Sequence, residues 1–138
     1  MKSLLLALAA LPLLACAGET FTCPDYLDLN ASPLTGVSLP ADARALVAPG
    51  RVWLSGASLF DGPPEEQASL VPDNADSDGP SLWTLASSSP SGYWLSCDYA
   101  NGLVRITRQL AANSSRCTAT ASPAGNPADS VKVRFDCQ

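Results

Sequence analysis

The sequence predicts a mainly β fold: a small antiparallel sandwich or barrel-like domain, stapled by disulfides and containing at most one short helix. Twelve prolines and nine glycines separate short apolar stretches at near-regular spacing, which is typical of all-β domains with many turns. An Asn-Gly pair marks a tight hairpin, and four cysteines after the first 17 residues form an even set. The length of 138 residues fits one domain, which we expect at residues 18–138.

The first 17 residues are predicted to be an export signal. Lys2 is followed by an apolar stretch at 4–14 and then by small residues, and this stretch is too short to span a bilayer. Cleavage after Ala17 is favoured, because the folded part begins within a few residues, at Phe21 and Cys23, whereas a lipoprotein usually has a longer polar tether. The four residues that end in Cys16 also resemble a lipobox, in which case Cys16 carries a lipid. Either reading places the chain in the periplasm or cell envelope of a bacterium, in contact with the membrane only if Cys16 is lipidated.

The elements of the predicted domain are short. A helix of about two turns is expected at residues 41–47, between Pro40 and the Pro49-Gly50 pair. Strands are expected at 20–29 in part, 51–54, 57–60, 81–87, 92–99, 103–110, 116–121 and 130–137.

The Asn101-Gly102 pair predicts a two-residue type I′ hairpin, which fixes the register of its two strands. The expected cross-strand pairs are Tyr99 with Val104, Asp98 with Arg105, Cys97 with Ile106 and Ser96 with Thr107. Trp94 then falls on the polar face of the hairpin, where either a loop covers its ring or the ring is exposed to a ligand.

The cysteines of the exported part are predicted to form two disulfides, since export leads to an oxidising compartment. These residues are Cys23, Cys97, Cys117 and Cys137. They include no closely spaced pair, which disfavours a metal site. In a meander, the second and third cysteines lie about 9.5 Å apart, beyond the reach of a disulfide. This favours Cys23 with Cys97 and Cys117 with Cys137, although four cysteines allow three pairings.

Several kinds of chemistry are excluded or disfavoured. The chain has no histidine, so Ser-His-Asp catalysis, Cys-His catalysis and histidine zinc sites are excluded. Residues 74–79 copy the opening of a calcium loop, but the twelfth position, which needs an acid, is Leu85. We therefore predict no catalytic residues, no metal and no cofactor.

The segment from Asp61 to Glu66 is the strongest candidate for a binding loop. Pro63 and Pro64 stiffen the backbone that carries the three carboxylates of Asp61, Glu65 and Glu66. Such a loop suits a cationic partner, and a solvated acidic turn is the alternative. Residues 18–78 carry ten acids against two arginines, which disfavours nucleic acid as a partner.

Several stretches together carry a family resemblance. They are Phe21-Thr22-Cys23-Pro24, the segment 58–65 with Leu70-Val71-Pro72-Asp73, Gly92 to Tyr99, and the cysteines at 117 and 137. With them the chain resembles an uncharacterised family of small exported proteobacterial proteins known by an STY locus tag. The resemblance implies no activity and no catalytic residues.

The leading functional hypothesis is a non-enzymatic periplasmic protein that binds or inhibits a cationic protein, such as a cell-wall hydrolase or a toxin. Its candidate partner-binding residues are Asp61, Pro63, Pro64, Glu65, Glu66 and Trp94. One alternative is an envelope accessory or structural protein, anchored through Cys16 if that residue is lipidated. A further alternative is a glycan or peptidoglycan binder that uses Trp94, Tyr93 or Trp53.

Overall fold

The computed structural model describes residues 18–138, and strands dominate this part of the chain. The predicted export signal at residues 1–17 and Cys16 lie outside the described residues. Two 3₁₀ turns, Pro64–Glu66 and Ala100–Gly102, are the helical elements within 18–138. The strands in chain order are β1 Glu19–Thr22, β2 Tyr26–Leu29, β3 Ser32–Pro33, β4 Leu46–Val47, β5 Gly50–Asp61, β6 Ser81–Thr84, β7 Tyr93–Tyr99, β8 Val104–Gln109, β9 Arg116–Pro123 and β10 Val131–Cys137.

Most strands belong to two four-stranded antiparallel sheets. Sheet I has the order β1-β10-β9-β6, and sheet II has the order β2-β5-β7-β8. The short strands β3 and β4 pair only with each other. The prediction of a mainly β, antiparallel, disulfide-stapled fold is confirmed, and the curled sheets form a half-barrel.

The core lies between the apolar faces of the two sheets. Sheet II contributes Leu54, Leu59, Leu95 and Tyr99, and sheet I contributes Phe135, all at most 1% exposed. In each strand these residues alternate with outward-facing ones, because side chains of a β-strand point to opposite faces in turn.

Strand β5 is longer than expected because it joins two predicted strands. Its pairing with β7 shifts between Leu54 and Gly56, which leaves Ser55 as the extra residue of a bulge. Leu54 and Leu59 are five positions apart and both fully buried, which strict alternation would not allow. The bulge resets the alternation and so places both leucines in the core.

The Asn-Gly hairpin has the predicted register. Tyr99 pairs with Val104 and Asp98 with Arg105. Asn101 and Gly102 have φ angles of 56° and 85°, as a type I′ turn requires at its two central positions. A local sequence signal was sufficient here because the turn itself sets the register.

The helix predicted at 41–47 is wrong. Residues 41–42 form a turn, and Leu46–Val47 is strand β4, which pairs with β3. The backbone N–H of Leu34 donates to the carbonyl of Ala45 at 3.0 Å. A two-turn helix needs an apolar face to bury, and this segment is largely exposed, so the paired strand replaces it.

The N-terminal segment crosses from sheet I to sheet II at residues 23–25, the crossing segment. Cys23 is bonded to Cys97 of β7, with 5.7 Å between the Cα atoms, and its N–H donates to the carbonyl of Val133 in sheet I at 3.0 Å. The hydroxyl of Tyr99 donates to the Pro24 carbonyl at 2.7 Å, and burial raises the pKa of this phenol. The crossing segment is therefore tied to both sheets.

The second disulfide joins neighbouring strands. Cys117 of β9 and Cys137 of β10 are directly opposite in the ladder, with Cα atoms 4.1 Å apart. Both disulfides have the pairing that the strand-spacing argument favours. Within residues 18–138, no helix is long and apolar enough to cross a membrane.

The two disulfides are expected to contribute unequally to stability. They close sequence separations of 74 and 20 residues, and loop-closure entropy predicts losses of about 4 and about 3 kcal/mol when each is removed. Urea denaturation of C23A/C97A and C117A/C137A under non-reducing conditions measures both. A larger loss for C117A/C137A would contradict the expectation.

Candidate functional site

The face of sheet II opposite the core, called here the outer face, carries aromatic, charged and hydroxyl side chains, of which Phe60, Ser96 and Asp98 are buried. They alternate with the core residues of β2, β5, β7 and β8, and the bulge at Ser55 keeps both halves of β5 in phase with this face. The outer face includes Tyr26, Asp28, Arg51, Trp53, Ser58, Phe60, Trp94, Ser96, Asp98 and Arg105.

Asp98 is the centre of a polar network on the outer face. It is 8% exposed. Its Oδ2 accepts from the Ser58 hydroxyl at 2.5 Å, and its Oδ1 accepts from the Ser96 hydroxyl at 2.6 Å. Arg105 Nε lies 3.2 Å from the same Oδ1, as the cross-strand pairing of these residues predicts. The carboxylate thus joins three strands and is stabilised by hydrogen bonds and by an opposite charge.

A polar cleft of about 380 Å³ lies beside this network. The guanidinium of Arg105 is 5.2 Å from the centre of the Phe60 ring, a cation–π distance. The cleft residues are Ser58, Phe60, Gln67, Ser69, Gly102 and Arg105. This arrangement offers hydroxyl, amide and guanidinium groups to a partner above a buried ring.

The segment 61–66, called here the acidic loop, is folded tightly back on the end of β5. The Asp61 N–H donates to the carbonyl of Ala68, and the Gly62 N–H donates to the carbonyl of Gly92. Asp61 Oδ1 accepts from the Ser89 hydroxyl at 2.5 Å. Pro64 is buried at the start of a 3₁₀ turn, whereas both glutamates beside it are exposed.

Trp94 lies on the outer face next to the acidic loop. In β5, Phe60 pairs with Trp94 and Asp61 pairs with Tyr93. The indole is half-buried, and its Nε1 donates to the carbonyl of Ser91 in the adjacent turn at 3.4 Å. The fold therefore brings Trp94 to the same end of the sheet as the acidic loop.

Sequence reasoning missed a second cluster, at the other end of the outer face. We call it the Arg51 cluster: Tyr26 and Asp28 of β2 with Arg51 and Trp53 of β5. Arg51 Cζ lies 3.7 Å from the centre of the Tyr26 ring, and the two ring centres are 5.3 Å apart. The alternation of these residues was visible in each strand, but the pairing of β2 with β5 was not.

A bidentate ion pair holds the Arg51 cluster together. Arg51 Nε and Nη2 lie 2.7 and 3.0 Å from the two carboxylate oxygens of Asp28. The hydrogen bonds from Arg51 lower the pKa of Asp28, and the same bonds raise the pKa of Arg51. Both groups are exposed to solvent, so the pair orients the guanidinium more than it stabilises the fold.

Sheet I carries three basic side chains on its solvent side. Lys132 and Arg134 alternate with the buried residues of β10, and Arg116 precedes the buried Cys117 of β9. These three cations lie on the solvent side of sheet I, whereas Glu65 and Glu66 lie at the end of sheet II.

The calcium-like turn at 74–79 has a structural role. Asn74 Nδ2 donates to the carbonyl of Pro80, and Asn74 Oδ1 accepts from the N–H of Leu82. Asp73 Oδ2 accepts from the N–H of Thr84. These side chains fix the start of β6. Among the described residues, no group of three or more metal-ligating side chains occurs.

Comparison with known proteins gives one match. A family model described as type VI secretion system Tli immunity protein matches residues 49–138. The matched segment contains β5 to β10, the acidic loop, Trp94 and the Asp98 network, while β1 to β4 precede it. No curated protein and no solved structure matches the chain.

Removing the Asp98 carboxylate is expected to destabilise the fold. D98A leaves Ser58, Ser96 and Arg105 without their shared acceptor and is expected to cost about 2 kcal/mol or more. D98N retains one oxygen acceptor and is expected to cost roughly half as much. Urea denaturation measures both, with D78A in an exposed turn as a control. Equal stability of D98A and D78A would contradict a structural role for Asp98.

The Asp28–Arg51 pair predicts a pH dependence. Because the folded-state pKa of Asp28 lies below its ordinary value of 3.8, the contribution of its carboxylate to stability is present above about pH 4 and is lost as the pH falls through the lowered pKa. The free energy of unfolding of the wild type should exceed that of D28N near neutral pH, and the difference should shrink towards about pH 3. An unchanged difference at acidic pH would reject this assignment.

Proposed function

The chain belongs to the family of type VI secretion system Tli immunity proteins, and on this premise we propose that it neutralises its toxin effector by binding it with the acidic loop and the outer face of sheet II. Immunity proteins of this kind bind and inhibit a toxin and are generally not enzymes. The family thus has a described role, unlike the uncharacterised family that the sequence resembles. It favours the inhibitory hypothesis over the accessory and glycan-binding alternatives.

The acidic loop is the feature that best supports this choice of effector-binding surface. Glu65 and Glu66 are exposed, while Pro64 of the same loop is buried and the backbone N–H of Asp61, where the loop leaves β5, donates to the carbonyl of Ala68. A loop already held in one conformation loses little entropy when a partner binds. Its carboxylates attract a cationic surface and repel nucleic acid.

The effector that fits this loop carries basic residues around the region that the immunity protein covers. A cell-wall hydrolase with a basic surface is one class of toxin with that property. Trp94, beside the loop, supplies an aromatic ring of the kind that dominates the energetics of protein interfaces. In this proposal the main contacts of the loop come from the carboxylates of Glu65 and Glu66. Their position is set by Asp61, Pro63 and Pro64.

The periplasm is the proposed compartment. Two disulfides indicate an oxidising environment, and type VI immunity proteins are often periplasmic. Export by residues 1–17 fits this location. Lipidation of Cys16 would hold the chain at the membrane without changing the binding surface.

The test has two steps. The full chain first captures its effector from envelope and secreted fractions of the source bacterium, at low and at high salt, and mass spectrometry identifies the bound protein. That effector is then expressed with an export signal in a susceptible host, with and without the full chain. Restored growth with the chain supports neutralisation. Continued killing, or capture of no toxin, would overturn the proposal.

Charge reversal in the acidic loop is expected to slow effector binding. E65K/E66K should lower the association rate roughly tenfold at low salt, because electrostatic steering is lost, and the difference should diminish as salt rises. Surface plasmon resonance with the captured effector measures the rates. D76K/D78K makes the same charge change in another exposed turn and serves as the control. If both variants bind alike, the loop is not the binding element.

A further inference from the structure

We propose that the Arg51 cluster is a second contact point for the effector, one that determines how long the complex lasts rather than how fast it forms. This inference rests on the proposed function. It concerns Tyr26, Arg51 and Trp53, with Asp28 as the residue that positions the guanidinium. The acidic loop and this cluster lie towards opposite ends of β5, at residues 61–66 and 51–53.

The cluster is assembled before any partner arrives. In the β2–β5 ladder, Tyr26 pairs with Trp53 and Asp28 pairs with Arg51. The bidentate pair between Arg51 and Asp28 fixes the guanidinium over the Tyr26 ring, 3.7 Å from its centre. Long side chains normally lose conformational entropy on binding. Here the fold has already ordered them, so a partner gains more from each contact.

The cluster is also accessible. Tyr26 is 41% exposed, and the Arg51 side chain is 45% exposed. Neither residue belongs to the core between the sheets. Tyrosine, tryptophan and arginine are the residue types that most often dominate binding energy at protein interfaces, and here all three adjoin one another on a sheet face.

The chemistry of the cluster specifies the contacting surface of the effector. Asp28 neutralises Arg51, so the cluster as a whole carries no net charge. Aromatic rings and a stacked guanidinium favour flat apolar or aromatic side chains. The cluster therefore fits an uncharged, ring-bearing patch of the effector, at the other end of the interface from the basic region that the acidic loop attracts.

Half of the cluster comes from outside the family-matching segment. Tyr26 and Asp28 belong to β2, which precedes residue 49. The crossing segment and the Cys23–Cys97 disulfide hold β2 in place. The part of the chain that matches the family supplies Arg51 and Trp53, and the part before it orients them. This places a determinant of effector specificity in the N-terminal segment.

Binding kinetics distinguish this role from that of the acidic loop. Y26A and R51M should raise the dissociation rate of the captured effector roughly tenfold, with the association rate changed by no more than about twofold at either salt concentration. Y26F retains the ring and should dissociate like the wild type. R134M removes an arginine that is likewise paired with an aspartate, Asp136, but on the other sheet, and it should leave both rates unchanged.

The outcomes separate this inference from the proposed function. Thermal unfolding and near-UV circular dichroism first establish that each variant is folded. If the wild type neutralises the effector but Y26A and R51M dissociate at the wild-type rate, the cluster is not a contact and the proposed function stands. An equal effect of R134M would also overturn the inference. If the wild type binds no toxin, the proposed function itself fails.

Discussion

The Cys23–Cys97 disulfide fixes the point at which the N-terminal segment passes from one sheet to the other. Cys23 is also hydrogen-bonded to Val133 of sheet I, and the neighbouring Pro24 accepts a bond from the buried Tyr99 of sheet II. With this point fixed, β1 pairs along the edge of sheet I and β2 along the edge of sheet II. The core between the sheets and the cluster around Arg51 both depend on that placement.

The bulge at Ser55 is the second constraint, since it decides which side chains of β5 lie on the outer face. The Ser55 hydroxyl donates to the Asp98 carbonyl and accepts from the N–H of Asn101. The bulge is thereby linked to the hairpin turn as well as to the central strand. Trp53 before the bulge and Phe60 after it consequently share one face. The Arg51 cluster and the residues beside the acidic loop therefore lie on the same face of sheet II.

The two ends of that surface have complementary properties. The acidic loop carries exposed charge, which acts over a distance and is screened by salt. The Arg51 cluster carries rings and a neutralised guanidinium, which act only in contact. In the proposed complex, a surface divided in this way combines rapid encounter with slow release, and both properties suit a protein that neutralises a toxin.

The sequence alone determined the features whose causes are local. The Asn101-Gly102 turn set the register of β7 and β8, the glycine and proline spacing indicated a β fold, and the cysteine positions with strand spacing favoured the observed pairing. Pro63 and Pro64, directly before Glu65, indicated a stiff loop. The tertiary structure decided the rest. Residues 41–47 pair with β3 instead of forming a helix, β5 continues through a bulge, and β2 lies beside β5. These outcomes depend on pairing between segments distant in sequence, which local propensity does not encode. The alternation within β2 and within β5 therefore could not show that Tyr26 and Asp28 lie beside Arg51 and Trp53.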